Sequence, residues 1–413
     1  MQRRTYLRTF AGVTSLGTLA STRKALETDG REPPKETPPA DAPLEEMQST
    51  PIDGNEQKRI TTFLERHVAK GTFPGAAVAV VGEDGQLYRN AVGKAQTVPV
   101  TRDMTEETVF DLASVTKAVA TATSVVQLID RGALRIDDSL CDFYCGIPEG
   151  GYGKCDITIE HLLAHTSGYP AWLPLWTEVD GPDQAIDYIL RDTPLNTEPG
   201  TEVTYSGLGY ILLGDIVRRV SGTPLDEYAD ANIFEPLAMK TTAFNPLDAL
   251  SETHSYAATE DSAYYGEVVV GEVHDENAAF LGGVSGNAGL FSTTDDLSTY
   301  AMALLNCGKA NGTRILSKQA VKKMTKTWAA DSDGDRGLGW DLTEMFGQQD
   351  SGAPYDTGTF GHNGFTGTSV WFAPKMNFAV VTLTNRVHPS RDNYAISEFR
   401  PAFHNLVASL VSS

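Results

Sequence analysis

The chain has 413 residues and a net charge of −21, with 54 acidic against 33 basic side chains, 41% hydrophobic residues and 21% charged. Such a length and composition support a large folded core or two lobes. They exclude a nucleic-acid partner, whose phosphates require a basic face, and no segment has the length and apolarity of a stable membrane span.

Residues 1–20 contain Arg3 and Arg4, then Tyr6, Leu7 and Arg8, and a short apolar run with no acid. The pattern predicts a twin-arginine-type signal ending near Ala20. The protein is therefore expected to be exported, periplasmic or extracellular, and held at the membrane if the signal stays uncleaved. Residues 21–55 are rich in Pro, Glu, Asp and Thr without hydrophobic periodicity and read as a disordered linker. One folded domain is expected over 56–413.

Ile60, Phe63, Leu64, His67 and Val68 follow helical spacing. AAVAVV, the turn Glu83-Asp84-Gly85 and QLYRNAV form a predicted hairpin. Residues 115–245 read as mainly helical, and Thr293 to Asp296 as a capping box opening a further helix. SVWFA, a turn at Pro374 and FAVVTLTN predict a second hairpin; Ile396, Phe399, Phe403, Leu406, Val407 and Leu410 predict a closing helix. Both ends thus supply a helix and a hairpin. The expected class is α/β (α+β): a mixed, mainly antiparallel sheet flanked by helices, with an inserted all-α lobe at about 115–245.

Within FDLASVTKAVATATSVVQLID, Ser114 opens a helix and Lys117 follows one turn later. Residues at i and i+3 share a helix face. A serine hydroxyl becomes a nucleophile when a nearby base takes its proton, and a lysine serves only where burial favours its neutral amine. The spacing alone is weak: Ser21 and Lys24 repeat it in the linker, and an N-cap serine would look the same. No serine shows the G-x-S-x-G elbow of an α/β-hydrolase. Of Cys141, Cys145, Cys155 and Cys307, Cys155 is expected to pair with Cys141 or Cys145.

Two further segments carry suitable chemistry, Tyr205-Ser206-Gly207 and His362-Asn363-Gly364. With FDLASVTK, HLLAHTSGYP, GNAGLFSTTDDL and LTNRVHP, they make residues 56–413 resemble the serine β-lactamase and penicillin-binding-protein superfamily, in the branch of class C β-lactamases and related esterases. The resemblance implies a β-lactamase/transpeptidase-like fold and no cofactor or metal. Ser114 would be the acylated nucleophile, Lys117 the neutral amine that helps deprotonate it, and Tyr205 the relay to the leaving group. The backbone N–H groups of Ser114 and Phe365 would form the oxyanion hole, and His362, Asn363 and Gly364 the substrate-binding strand.

Two positions depart from the family pattern. Gly207 stands where Y-x-N has asparagine, and His362 where K-T-G has lysine. An imidazole is mostly neutral at pH 7, so neutral esters or small amides are expected over β-lactams, D-Ala-D-Ala peptides or cell-wall amides. Arg386 could restore a cation. A non-catalytic penicillin-binding sensor is the alternative of another class. Trp172 and Trp176 are expected to line an apolar acyl pocket, and His274 to border the cleft. His161 and His165 have zinc-like spacing without a glutamate between them. Asp331, Asp333 and Asp335 begin a calcium-like loop that fails at Arg336 and Leu342. The expected partner is a small ester, amide or peptide substrate, and the expected state a monomer.

Overall fold

A computed structural model describes residues 52–147, 153–330, 334–347 and 357–411. The predicted export signal, most of the linker, Asp331 and Asp333 lie outside the described residues. Ile52 is buried and Asp53 caps the first helix in a reciprocal box with Glu56, so residues 52–55, assigned to the linker by composition, belong to the folded unit.

The terminal segments build a six-stranded antiparallel sheet. Helix α1 (Gly54–Ala69) precedes the hairpin β1 (Gly75–Gly82) and β2 (Gly85–Gln96), followed by a short β3 (Arg102–Asp103). The other half is β4 (Phe360–Asn363), β5 (Ser369–Ala373) and β6 (Phe378–Thr384). The order is β4-β5-β6-β1-β2-β3, with Ala76 opposite Thr384 and Val80 opposite Val380. Successive strand side chains point to opposite faces. On β1, Ala76, Val78 and Val80 therefore join the core under α1 and the closing helix Ile396–Val411, while Ala77, Ala79 and Val81 join the larger core on the other face.

That larger core receives the helices between β3 and β4. They include a π-helical turn at Lys117–Ala122 that runs into α2 (Thr123–Asp130), then α3 (Gly207–Ser221) and α4 (Thr294–Leu305). At Thr293 only half of the expected capping box forms: its hydroxyl accepts from Asp296 N–H, but the Asp296 carboxylate accepts from Thr241 N–H and the Thr242 hydroxyl instead. The strands Phe110–Asp111, Leu290–Ser292 and Ala243–Phe244 form a ribbon between the sheet and the helices. They are two or three residues long, too short to show an alternation in sequence. The disulfide joins Cys141 to Cys155; Cys145 and Cys307 are free.

Candidate active site

Asp111 ends a strand of the ribbon, and the chain turns sharply through Ala113 at φ 47° before Ser114. A non-glycine residue in this region is costly unless its surroundings hold it there. Here the Asp111 carboxylate accepts the Ala113 N–H at 2.7 Å. The turn then enters the π-helical segment, where Lys117 is buried at 2% exposure. Its Nζ lies 3.0 Å from Ser114 Oγ and donates to the Asn287 carbonyl at 2.8 Å. The expected serine–lysine pair is therefore assembled by direct contact.

Tyr205 stands over this pair, with Lys117 Nζ 5.0 Å from its ring centre. Its ring packs against His165 at 4.5 Å and faces His362 at 5.9 Å. The two histidines hold opposite tautomers. His165 Nδ1 accepts from Ser206 N–H at 3.1 Å, so its proton sits on Nε2; His362 Nδ1 donates to the Asn363 carbonyl at 2.9 Å, leaving Nε2 as an acceptor. Burial pushes His165 well below its ordinary value and His362 down to about 3. Both rings are neutral at pH 7, so His362 supplies no cation, as its identity suggested. His165 is thus a cradle for Tyr205, and His161 caps a short helix through Thr158; neither is arranged as a metal ligand.

Beyond β4, Gly364 passes so close to the nucleophile turn that a Cβ there would overlap the Thr368 hydroxyl and the Leu112 carbonyl. This close approach requires glycine and brings Phe365 beside Ser114. Among the described residues, neither the Ser114 nor the Phe365 backbone N–H has a hydrogen-bond partner. Two free donors flanking a nucleophile are the arrangement an oxyanion hole needs.

A cleft of about 440 Å³ is lined by Ser114, Tyr205, His362, Asn363, Gly364 and Phe365. Arg336, Arg386, Arg400 and Asp341 also line it, with Tyr394, Ile396 and Ser397, so a strongly acidic chain presents three guanidinium groups at this site. Arg386 lies along the ring of Phe365 at 4.4 Å, and its Nε and Nη1 donate to the carbonyls of Phe365, Arg391 and Asn393. Arg400 donates to the Gly364 and Thr368 carbonyls. Arg336 pairs with Asp341 at 2.9 Å, and its Nε has no partner among the described residues. Of the three, Arg336 is thus the one paired with a carboxylate, while Arg386 and Arg400 donate only to backbone carbonyls among the described residues; the sequence showed Arg336 only as a fault in a calcium-like loop.

Other expected contacts fall elsewhere. Trp172, 48% exposed, and Trp176 form an edge-to-face ladder with Tyr264, outside the walls of the cleft. Their loop flanks Tyr205 through Ser206 Oγ to the Pro170 carbonyl and Gly207 N–H to the Ala171 carbonyl. His274 does not border the cleft; it is buried behind Phe365, stacked on it at 5.7 Å and bonded to Glu260. The Asn363 amide oxygen is occupied by Trp371 Nε1. At Gly207 a Cβ would fit in ordinary van der Waals contact, 3.7 Å from the Ala171 carbonyl and 3.8 Å from Asn287 Nδ2. Asn287, quoted only within GNAGL, thus sets an amide beside the position where Y-x-N would carry one.

The family model described as Beta-lactamase matches residues 60–400. A protein of Escherichia coli O157:H7 provisionally named a D-alanyl-D-alanine carboxypeptidase is 33% identical over 363 residues, 79% of this chain and 81% of that protein. An N-acetylmuramyl-L-alanine amidase of Bacillus subtilis (strain 168) is 32% identical, covering 80% and 81%. Two solved structures share the fold. One is EstCE1, a hydrolase with promiscuous acyltransferase activity (TM-score 0.68, 22% identity, 86% of this chain and 98% of that one). The other is the octameric penicillin-binding protein homologue from Pyrococcus abyssi (TM-score 0.66, 22% identity, 85% and 76%).

Proposed function

Because the chain belongs to the beta-lactamase family and is a serine hydrolase, we propose that it cleaves small esters and amides through an acyl-enzyme on Ser114. The observation that carries this reading is Lys117 Nζ, buried and 3.0 Å from Ser114 Oγ. In the acylation step Lys117, as the free amine, takes the Ser114 proton while Oγ bonds to the substrate carbonyl carbon. The carbonyl oxygen gains negative charge and is met by the Ser114 and Phe365 N–H groups. Tyr205 gives its phenolic proton to the leaving alkoxide or amine as the tetrahedral centre collapses and takes back the proton held by Lys117, so both return to their starting forms. Water then repeats the sequence on the acyl-serine.

The same site supports a second reading, hydrolysis of peptides that carry a carboxylate near the scissile bond. The guanidinium groups of Arg336, Arg386 and Arg400 on the cleft wall favour it, as do the carboxypeptidase and amidase names of the relatives. Export, which those names also favour, rests on the signal pattern in residues 1–20; no helix among the described residues is long and apolar enough to cross a membrane.

The test is mass spectrometry after incubation with a fluorophosphonate, followed by turnover of p-nitrophenyl esters, a D-Ala-D-Ala peptide, a muramyl-L-alanine amide and a chromogenic cephalosporin. The expected result is an adduct on Ser114 and turnover that Ser114→Ala abolishes. A wild-type protein that forms no adduct would overturn the reading. Arg336→Ala separates the two substrate classes: loss confined to the carboxylate-bearing peptide supports the second, and equal rates on all substrates removes it.

A further inference from the structure

Asp111 is buried at 2% exposure, three residues before the nucleophile, and the acyl-transfer scheme leaves it without a task. Each of its acceptors is occupied by a group from a different part of the site. Oδ1 takes the Ala113 N–H and Oδ2 takes the His274 N–H, both at 2.7 Å. Its carbonyl accepts from the Thr366 hydroxyl at 2.8 Å, while the Leu112 carbonyl accepts from the Thr368 hydroxyl at 2.8 Å. One residue and its neighbour thus fasten the turn that carries Ser114 to the loop that carries Phe365.

His274 extends the connection. Its ring lies flat against Phe365, interplanar angle 24°, and its Nε2 is 2.9 Å from Glu260. Glu260 also binds Arg391, which bonds Glu276 as well. Burial acts against it, yet the His274 and Arg391 bonds hold the Glu260 carboxyl at about 2. Phe365 is therefore clamped between the His274 ring and the Arg386 guanidinium, with its carbonyl held by Arg386 Nε.

We propose that Asp111 is the positioning residue of the oxyanion hole, fixing the Ser114 and Phe365 N–H donors relative to each other directly and through His274. The inference rests on the acyl-transfer role proposed for those two N–H groups. Only a carboxylate can accept both backbone N–H bonds. An amide in its place turns one acceptor into a donor facing a donor, and a protonated carboxyl does the same. Burial raises Asp111 above the usual carboxylate range, against the pull of its two N–H bonds. The ionisable groups facing it are His274, Asp275 and Tyr265. Its protonation on acidification should slow chemistry without weakening substrate binding.

The experiment uses the full chain with Asp111→Asn and Glu260→Gln. Ser114 sites are counted by exhaustive fluorophosphonate titration and folding is checked by thermal melting. The acylation rate per titrated site is then read from p-nitrophenyl ester bursts. Asp111→Asn is expected to lower that rate about tenfold or more, on the scale of a lost or displaced oxyanion donor, with the substrate dissociation constant, read from the concentration dependence of the burst rate, within about twofold. Glu260→Gln should give a smaller fall of the same kind, and the wild type an acid limb in the burst rate that the substrate dissociation constant lacks. A folded Asp111→Asn protein with an unchanged rate per site overturns the proposal. If that variant does not fold, an unchanged Glu260→Gln rate together with a flat acid limb overturns it instead. A wild type that never acylates Ser114 overturns the functional reading itself, and the Asp111 role with it; that outcome is distinct because it appears before any variant is made.

Discussion

The departures at Gly207 and His362 look alike in sequence and differ in physical consequence. At His362 the change removes a charge outright, because burial beside Lys117 keeps the ring neutral. At Gly207 it removes a side chain from a position that Asn287 borders, where a Cβ would meet its nearest neighbour at an ordinary contact distance of 3.7 Å. Gly207→Asn should therefore fold with a stability change below about 1 kcal/mol, the usual scale of a tolerated surface or helix-start substitution. Its kcat/KM on a chromogenic cephalosporin should rise if an amide at 207 is what such a substrate lacks; unchanged turnover would assign that job to Asn287. Gly364 is the contrasting case. Gly364→Ala would force the Thr368 hydroxyl and the Leu112 carbonyl apart, and Phe365 would leave Ser114, with ester turnover reduced to the level of Ser114→Ala.

At the scale of elements, what was legible was local. The i,i+3 spacing of Ser114 and Lys117 and the apolar runs flanking the turns of the two hairpins rest on neighbours in sequence, and the structure builds both. The residues that connect elements were not legible. Asp111, Asn287 and Arg400 bond groups as far as 255, 170 and 36 positions away, and the fold alone brings Arg336 to the cleft wall; no spacing rule marks them. The strained Ala113 and the short ribbon strands were hidden for a related reason: tertiary bonds, not propensity, hold them. Asn277 shows how such a bond shapes a loop. Its side chain donates to the Leu173 carbonyl and accepts from Leu175 N–H, holding the Trp172 and Trp176 segment from both sides. Asn277→Ala should cost about 1–3 kcal/mol, the range for buried hydrogen bonds left unmade. Indole fluorescence should red-shift as the ladder loosens; an unshifted spectrum would show that the proline-rich loop holds itself.

For the whole molecule, the buried neutral histidines set a dependence on pH. His165 lies well below its ordinary value, and His362 and His404 at about 3, all through burial first. In the unfolded chain each would take a proton below about pH 6.5. Their contribution is complete above that value and is lost as pH falls below it, down to about 3 for His362 and His404. Glu260, held at about 2, adds to the loss at the acid end, while Asp111, raised by burial, works in the opposite sense. His404 isolates the effect, since it packs among Phe346, Trp371 and Phe403 away from the cleft. Urea unfolding at pH 7.5 and 5.0 should show a weaker acid loss in His404→Leu than in the wild type. Identical pH dependence in the two would refute the assignment.

Arg400, carried by the closing helix, holds the Gly364 and Thr368 carbonyls, and β1 pairs along its length with β6. A nascent chain that has left the ribosome only as far as residue 380 already contains Ser114, Lys117, Tyr205 and His362. It lacks the end of β6 and the guanidinium that braces the Phe365 loop. Synthesis thus delivers the reactive groups early and the geometry that makes them reactive late, so an unfinished chain is kept from attacking its neighbours by the order of its own residues.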